Sequence, residues 1–280
     1  MYKITQKKQL NDDVYQMTVL APRVAKRALA GHFVVIRIDE VGERIPLTIS
    51  YANKETGEVE LVIQSVGHST RKLKEYNEGD YIKDIMGPLG KPTVIHSDRK
   101  NILGIAGGVG AAPILPQLIA YKETGAKVTL ITGGRTDKHL ILMDRLSATC
   151  DEVYPCTNDG SVGHKGFVTD VLKDMLAKDP HQFDEVIAIG PAVMMKAVVE
   201  ITKQYNVPTS VSLNPIMIDG TGMCGECRVS VGGETKFACV DGPDFDGLKV
   251  DFDELMRRQR IFKKEEEHAC RMEQEVKKNA

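Results

Sequence analysis

The 280-residue sequence has no run of 18 or more apolar residues, so no segment has the length of hydrophobic helix that crosses a bilayer. A secretory leader is not expected either, since Met1-Tyr-Lys-Ile-Thr-Gln-Lys-Lys is not followed by the apolar stretch such a signal needs. The expected location is the cytoplasm. Charge of one sign is absent too. Against 39 Asp and Glu stand 37 Lys and Arg, giving a net charge of -2 and a pI near 6.4, which offers no basis for binding nucleic acid or anionic lipid. No internal repeat is present.

What is present is ordinary globular composition, 42% hydrophobic and 27% charged, with length enough for two domains. Six cysteines in a reducing compartment are not expected to form disulfides. Cys224, Cys227 and Cys239 crowd together, while Cys150, Cys156 and Cys270 are scattered, a distribution that points to a local metal or cluster site.

Residues 1–98 read as a small antiparallel β-barrel, with strands over Val14–Leu20, His32–Asp39, Val59–Gln64 and Tyr81–Met86 between turn-forming residues. Gly87-Pro-Leu-Gly-Lys-Pro92 reads as its closing turn. Residues 99–212 read as an α/β domain with a parallel sheet. Buried strands are expected at Asn101–Ala106, Lys127–Thr132, Ala148–Pro155 and Glu185–Ile189, with helices at Pro113–Thr124, Thr169–Ala177 and Ala192–Gln204. Residues 213–250 form a Gly- and Cys-rich loop, and 251–280 an exposed charged helix with sparse apolar positions at Leu255, Ile261 and Phe262.

The strongest chemical signal is Asp219-Gly-Thr-Gly-Met-Cys224-Gly-Glu-Cys227 with Cys239 beyond it. Plant-type [2Fe-2S] sites use C-x4-C-x2-C and a later cysteine, and here both gaps are intact with Asp in the first place. Two irons need four ligands, and glycines at 220, 222 and 225 permit the tight wrap because they tolerate positive φ. Structural zinc is the alternative for the same thiols, and Asp219 could instead cap a turn.

Gly107-Gly-Val-Gly110-Ala-Ala-Pro113 lies between a buried strand and a helix, a turn that can bring backbone N–H groups to a pyrophosphate. It does not have the GxGxxG spacing. Thr132-Gly-Gly-Arg135, Thr157-Asn158-Asp159-Gly-Ser161 and Gly190-Pro-Ala-Val-Met-Met195 each follow another strand, where ligands bind in open α/β sheets. Met194 and Met195 read as helix core. In the barrel half, Arg44-Ile-Pro-Leu-Thr-Ile-Ser50 and Gln64-Ser-Val-Gly-His-Ser-Thr70 place cationic and hydroxyl groups where a flavin could use them. His68 reads as structural.

Taken in order, these motifs resemble the ferredoxin–NADP reductase superfamily over nearly the whole chain. The resemblance is nearest to the branch containing the dihydroorotate dehydrogenase electron-transfer subunit and the small subunit of NADH-dependent reduced ferredoxin:NADP oxidoreductase, also described as sulfide dehydrogenase. It implies FAD held by Arg44, Pro46, Leu47, Thr48, Ser50, Gly67, Ser69 and Thr70. It implies NAD(H), with NADP the alternative, lined by Gly107, Gly108, Gly110, Arg135, Asn158, Asp159 and Gly190. It further implies a [2Fe-2S] cluster on Asp219, Cys224, Cys227 and Cys239. No residue is expected to act as acid, base or nucleophile, the flavin mediating the reaction. Four cysteines are typical of the dihydroorotate type and Asp with three Cys of the transhydrogenase type. The sequence is thus expected to encode one subunit of a heterodimer, passing electrons between NAD(H) and a larger flavin- and iron–sulfur-bearing partner, and through it ferredoxin, in bifurcating NADH/NADP transhydrogenation. A dihydroorotate dehydrogenase electron-transfer subunit and a non-catalytic nucleotide-binding module with zinc are the alternatives.

Overall fold

The computed structural model describes residues 1–263, 265 and 268. Strands β1 (Tyr2–Gln9), β2 (Val14–Leu20), β3 (Phe33–Arg37), β4 (Arg44–Asn53), β5 (Glu58–Gln64), β6 (Tyr81–Ile82) and β7 (Asp84–Leu89) form one antiparallel sheet in the order β6-β1-β2-β5-β4-β3-β7. The edge strands β6 and β7 are separated in sequence only by Lys83, so the sheet curls until its edges meet, and Lys83 N donates to Ile38 O at 3.0 Å. Alternation fills the interior. Tyr15, Met17 and Val19 of β2 point inward with Ile36, Leu61 and Ile63 from neighbouring strands. Helix α1 (Pro22–Ala25) and helix α2 (His68–Lys74) cover the openings, and the buried Tyr15 hydroxyl donates to Thr70 O of α2 at 2.8 Å.

The second sheet joins β8 (Asn101–Gly107), β9 (Lys127–Gly134), β10 (Glu152–Thr157), β11 (His164–Lys165), β12 (Glu185–Ile189), β13 (Thr209–Ser212) and β16 (Asp244–Asp246) in the order β11-β10-β9-β8-β12-β13-β16. All pairings are parallel except β13 with β16. Continuous apolar strands suit this arrangement because both faces are covered. Leu103 and Ile105 pack toward α5 (Val168–Lys178) and α6 (Ala192–Gln204), and Ile102 and Ala106 toward α3 (Ala111–Glu123) and α4 (Met143–Thr149). The chain runs outward from β8 to β9 and β10, then returns to β12 on its other side. That reversal is the switch point of a doubly wound sheet.

The third unit is small. The hairpin β14 (Arg228–Val231) and β15 (Glu234–Phe237) leads into α7 (Ala238–Asp241), then β16, which closes the edge of the large sheet. Helix α8 (Phe252–Arg258) buries Phe252 and Leu255 in the α5–α6 core, while Ile261 and Phe262 are exposed.

Three sequence expectations change. Ala148–Pro155 is not one strand: α4 runs through Thr149 and β10 begins at Glu152. Gly87-Pro-Leu is not a closing turn but the end of β7, paired with β3. The charged helix is seen over Phe252–Arg258, and most of its expected continuation, Cys270 included, lies outside the described residues.

Candidate functional site

The turns at the switch point are built by close backbone approach. A β-carbon on Gly110 would stand 2.2 Å from the Ile189 carbonyl oxygen, and one on Gly190 3.1 Å from Gly107 Cα. Only glycine lets the β8–α3 and β12–α6 turns touch in this way. Gly107 ends β8, Gly108–Gly110 makes one 3-10 turn, and α3 opens at Ala111. Helix α3 thus opens just past the carboxyl end of β8, where a helix N-terminus can receive an anion.

These turns form one wall of a cleft of about 740 Å³ between barrel and α/β domain. The sequence-expected residues Pro46, Leu47, Thr48, Gly107, Gly108, Gly110, Arg135, Asn158 and Gly190 all line it. The backbone ties Arg135 and Asn158 together: Asn158 N donates to Gly134 O at 3.2 Å and Asp159 N to Arg135 O at 3.3 Å. Asp159 sits just outside, and the Ser161 N–H and hydroxyl on its carboxylate hold it below the usual carboxylate range.

Six expected residues lie outside the cleft lining: Arg44, Ser50, Gly67, Ser69, Thr70 and Asp159. Ser50 is 1% exposed, and its hydroxyl donates to Glu60 O at 3.0 Å and to Glu60 Oε1 at 2.8 Å. The cause is a register shift between Ile49 and Tyr51, which breaks the alternation running from Arg44. Arg44 is exposed at the start of β4. Gly67 precedes α2, where Thr70 Oγ1 accepts from Gly67 N at 3.1 Å, and Ser69 Oγ donates to Glu43 Oε2 at 3.2 Å. His68 is exposed at the head of α2.

The cleft also takes residues the sequence did not single out, among them Phe33, His139, Phe167, Ser212, Met217 and Pro243. Met194 lines it against Gly107, whereas Met195 is fully buried core. The helical spacing of Met194 carried no sign of which face would meet the cleft.

Phe33 joins two regions. It lines the cleft, and on the other side it packs with Val35, Cys227, Ala238 and Cys239 in a separate apolar cluster that Met217 and Phe237 extend. Cys227 Sγ and Cys239 Sγ stand 3.2 Å apart and are not bonded. Two sulfurs on one tetrahedral metal at about 2.3 Å stand roughly 3.7 Å apart, close to this spacing. Burial, then the hydrogen bond with Cys227, pushes the Cys239 thiol up to about 12, so it stays a neutral thiol unless a bound cation stabilises the thiolate. Cys224 is exposed on the loop, and Glu226 N approaches its sulfur at 3.5 Å. Gly220, Gly222 and Gly225 have φ of 74, 86 and 68°, which gives the loop its wrap. Asp219 accepts Thr221 N at 2.7 Å and Cys224 N at 2.8 Å, and these N–H groups hold its carboxyl below the usual range. As it stands, then, Asp219 caps the loop.

Residues 214–251 match the family model for the iron–sulfur cluster binding domain of dihydroorotate dehydrogenase B, and residues 105–200 match that for the oxidoreductase NAD-binding domain. A "dihydroorotate dehydrogenase B (NAD(+)), electron transfer subunit homolog" from Thermotoga maritima is 45% identical over 264 residues, 94% of this chain and 92% of that protein. The chain belongs to the dihydroorotate dehydrogenase B electron-transfer subunit family, within the ferredoxin–NADP reductase superfamily. An uncharacterized protein in an adh 3' region of Clostridium beijerinckii is 50% identical over 272 residues, covering 95% of this chain and 92% of its own. A solved structure of NADH-dependent reduced ferredoxin-NADP oxidoreductase superposes with a TM-score of 0.91 at 43% identity, covering 97% of each chain.

An electron-transfer subunit of this family has an iron–sulfur domain and a nicotinamide-nucleotide domain, and both are placed by the geometry above. The loop fits a two-iron cluster in its donors: two cysteine sulfurs already side by side, and glycines that let the loop wrap tightly. Among the described residues, no three His, Cys, Asp or Glu side chains converge on one point. A two-iron cluster asks for two ligands at each metal, and the adjacent sulfurs of Cys227 and Cys239 would suit one such pair. No helix among the described residues is long and apolar enough to cross a membrane.

Proposed function

We propose that this chain carries FAD on its barrel, NAD(H) at the carboxyl ends of β8 and β12, and a [2Fe-2S] cluster on Asp219, Cys224, Cys227 and Cys239. It passes electrons between the nucleotide and a larger flavin- and iron–sulfur-bearing partner in a cytoplasmic heterodimer. The carrying observation is the position of Phe33, with the nucleotide cleft on one side and Cys227 and Cys239 on the other. A bound flavin supplies the conversion between hydride chemistry and single-electron chemistry. The chain binds and orients. Pro46, Leu47 and Thr48 offer a wall for the flavin ring, with Arg44, Ser50, Gly67, Ser69 and Thr70 toward its remainder. Gly107, Gly108, Gly110 and Gly190 admit the nucleotide, while Arg135, Asn158 and Asp159 receive its far end. The apolar cluster around Phe33 excludes water between cleft and thiols.

The reaction we favour is ferredoxin-linked NADH/NADP transhydrogenation. Its support is the likeness over 97% of both chains to the structure of NADH-dependent reduced ferredoxin-NADP oxidoreductase, a protein of flavin-based electron bifurcation. Asp219 in the first ligand place agrees with it. Electron transfer to a dihydroorotate-oxidising partner is the second reading, favoured by the match of residues 214–251. Affinity purification from the native cell tests them. Co-purification of a large iron–sulfur flavoprotein that reduces NADP supports the first, and a dihydroorotate-oxidising partner overturns it. Purified chain without flavin absorbance, iron or acid-labile sulfide would overturn both.

A further inference from the structure

Asp244 is a carboxylate that the electron-transfer reading leaves unused. It lies on β16, directly across from Ser212 of β13, which lines the cleft, and directly after Pro243, which also lines it. Cross-strand partners place their side chains on the same face. The residue is half-buried, but its carboxyl is enclosed by protein. Thr93 Oγ1 donates to Oδ2 at 2.6 Å, Gln117 Nε2 reaches the two oxygens at 3.4 and 3.2 Å, and Ser212 faces the carboxyl from the paired position on β13.

The kind of partner matters more than the number. A carboxylate kept ionised for structure is normally paired with Lys or Arg, yet among the described residues Asp244 has no ion pair. Each of its partners can both give and take a hydrogen bond. The two hydroxyls rotate, and the Gln117 amide can present either end. Gln117 is 0% exposed, and its Oε1 has no partner. Turned over, that oxygen would accept from a protonated Asp244. The pocket is therefore built to hold this carboxyl in either state. The one charged group that acts on it, Glu185 of β12, is itself held by Arg99 at 2.7 Å and by Tyr121 of α3 at 2.6 Å. Burial, and secondarily Glu185, pushes the Asp244 carboxyl above its usual range.

The reaction creates the need. Taking hydride from a dihydronicotinamide and sending the electrons out singly yields NAD+, two electrons and one proton. An iron–sulfur cluster takes the electrons alone, so the proton must leave the cleft another way. We propose that Ser212, Asp244 and Thr93 form a proton relay from the cleft to the surface. Ser212 Oγ takes a proton from the cleft as its own passes to the Asp244 carboxylate. Thr93, which is part-exposed, takes the proton from Asp244 as its own passes to water. No electrons move in these steps. In the reverse flux the same groups deliver the proton. Asp244 is a relay residue here, and the inference rests on the electron-transfer reading above.

The test uses the full chain loaded with flavin and cluster. NADH is added to protein alone, following flavin bleaching, and then with ferricyanide as one-electron acceptor, following turnover, across a range of pH. For Asp244→Asn the ratio of turnover to bleaching should fall about tenfold or more, with a flattened pH profile, and Ser212→Ala should move it the same way. A redox-difference infrared spectrum should show a carboxyl band that appears on reduction, shifts in heavy water and is absent in Asp244→Asn. Unchanged ratio and profile in both variants would overturn the relay. So would bleaching and turnover that fall together with thermal stability, the mark of a structural tie. Should Asp244→Asn not fold, Ser212→Ala and Thr93→Val decide. Wild-type protein that holds flavin but is not bleached by NADH would overturn the electron-transfer reading itself, and that result is distinct from bleaching with an unchanged ratio.

Discussion

Arg145 Nη1 stands 2.6 Å from Glu60 Oε1, and through that contact helix α4 of the nucleotide domain is fastened to strand β5 of the barrel. Ser50 Oγ meets the same oxygen at 2.8 Å and Gln16 Nε2 the other at 2.9 Å, so the carboxylate is well furnished with donors. The Arg145 guanidinium also lies 5.6 Å from the centre of the Tyr51 ring. A double-mutant cycle with Glu60→Gln and Arg145→Met should give a coupling of about 1–2 kcal/mol in urea unfolding. That is below the 3–5 kcal/mol (about) of a wholly buried broken pair, because the Arg145 side chain is 35% exposed. A coupling near zero would mean that this ion pair does not help to hold the domains together.

The glycine turns should differ in tolerance. Gly110→Ala drives a methyl into the Ile189 carbonyl, backbone that can yield only by moving β12, so a loss of about 1–3 kcal/mol and weaker NADH binding are expected. Gly107→Ala meets the flexible end of Met194, with Sδ at 2.5 Å, and should cost less. Adding Met194→Ala should recover part of that loss. Thermal melts and NADH titrations check the ranking, and equal costs would contradict it.

At the cysteine loop, Asp219→Asn removes the carboxylate charge and keeps one oxygen acceptor, so of the Thr221 and Cys224 N–H groups, which bond different oxygens, one retains its partner. A shifted cluster potential and altered paramagnetic resonance spectrum with normal iron content are expected. If both stay at wild-type values, Asp219 is a cap and not a ligand. Cys227→Ser should lower iron and acid-labile sulfide together.

Acid should loosen one corner of the sheet. Lys122 Nζ sits 2.8 and 2.9 Å from the Asp151 oxygens, and Val128 N donates to the same group at 2.7 Å. The Lys122 hydrogen bond, then the Val128 N–H, holds the Asp151 carboxyl below its usual range. A depressed folded-state pKa stabilises above the unfolded value of about 3.9 and is lost as pH falls through the folded one. The stability gap between wild type and Asp151→Asn should therefore hold steady from neutral pH to about 5, then close below about 4. The pair is about a third exposed, so the gap should be under about 1 kcal/mol.

Much of the architecture was legible because its hydrophobic periods are clean. Val14–Leu20, Glu185–Ile189 and Ala192–Gln204 fall where the sequence put them. Tyr2–Gln9 did not announce itself, since only Ile4 among its side chains is buried. The reading of Ala148–Pro155 failed at a helix-to-strand junction, where short apolar runs carry no period to separate them. At the site, strand-to-helix glycines were readable because backbone approach demands the residue type. Orientation was not. Ser50 turns away at a register shift, and Phe33, Ser212 and Met217 reach the cleft through tertiary packing that no local pattern encodes.

Phe33 is 3% exposed and, with Met217, belongs both to the lining of the cleft and to the apolar cluster that holds Cys227 and Cys239. An apolar layer of this kind insulates selectively. Desolvation cost keeps water and ions out of it, and a hydride passes only between atoms in contact, whereas an electron tunnels across. The chain thereby separates two kinds of traffic, and a variant that trims the ring to Ala is expected to admit water.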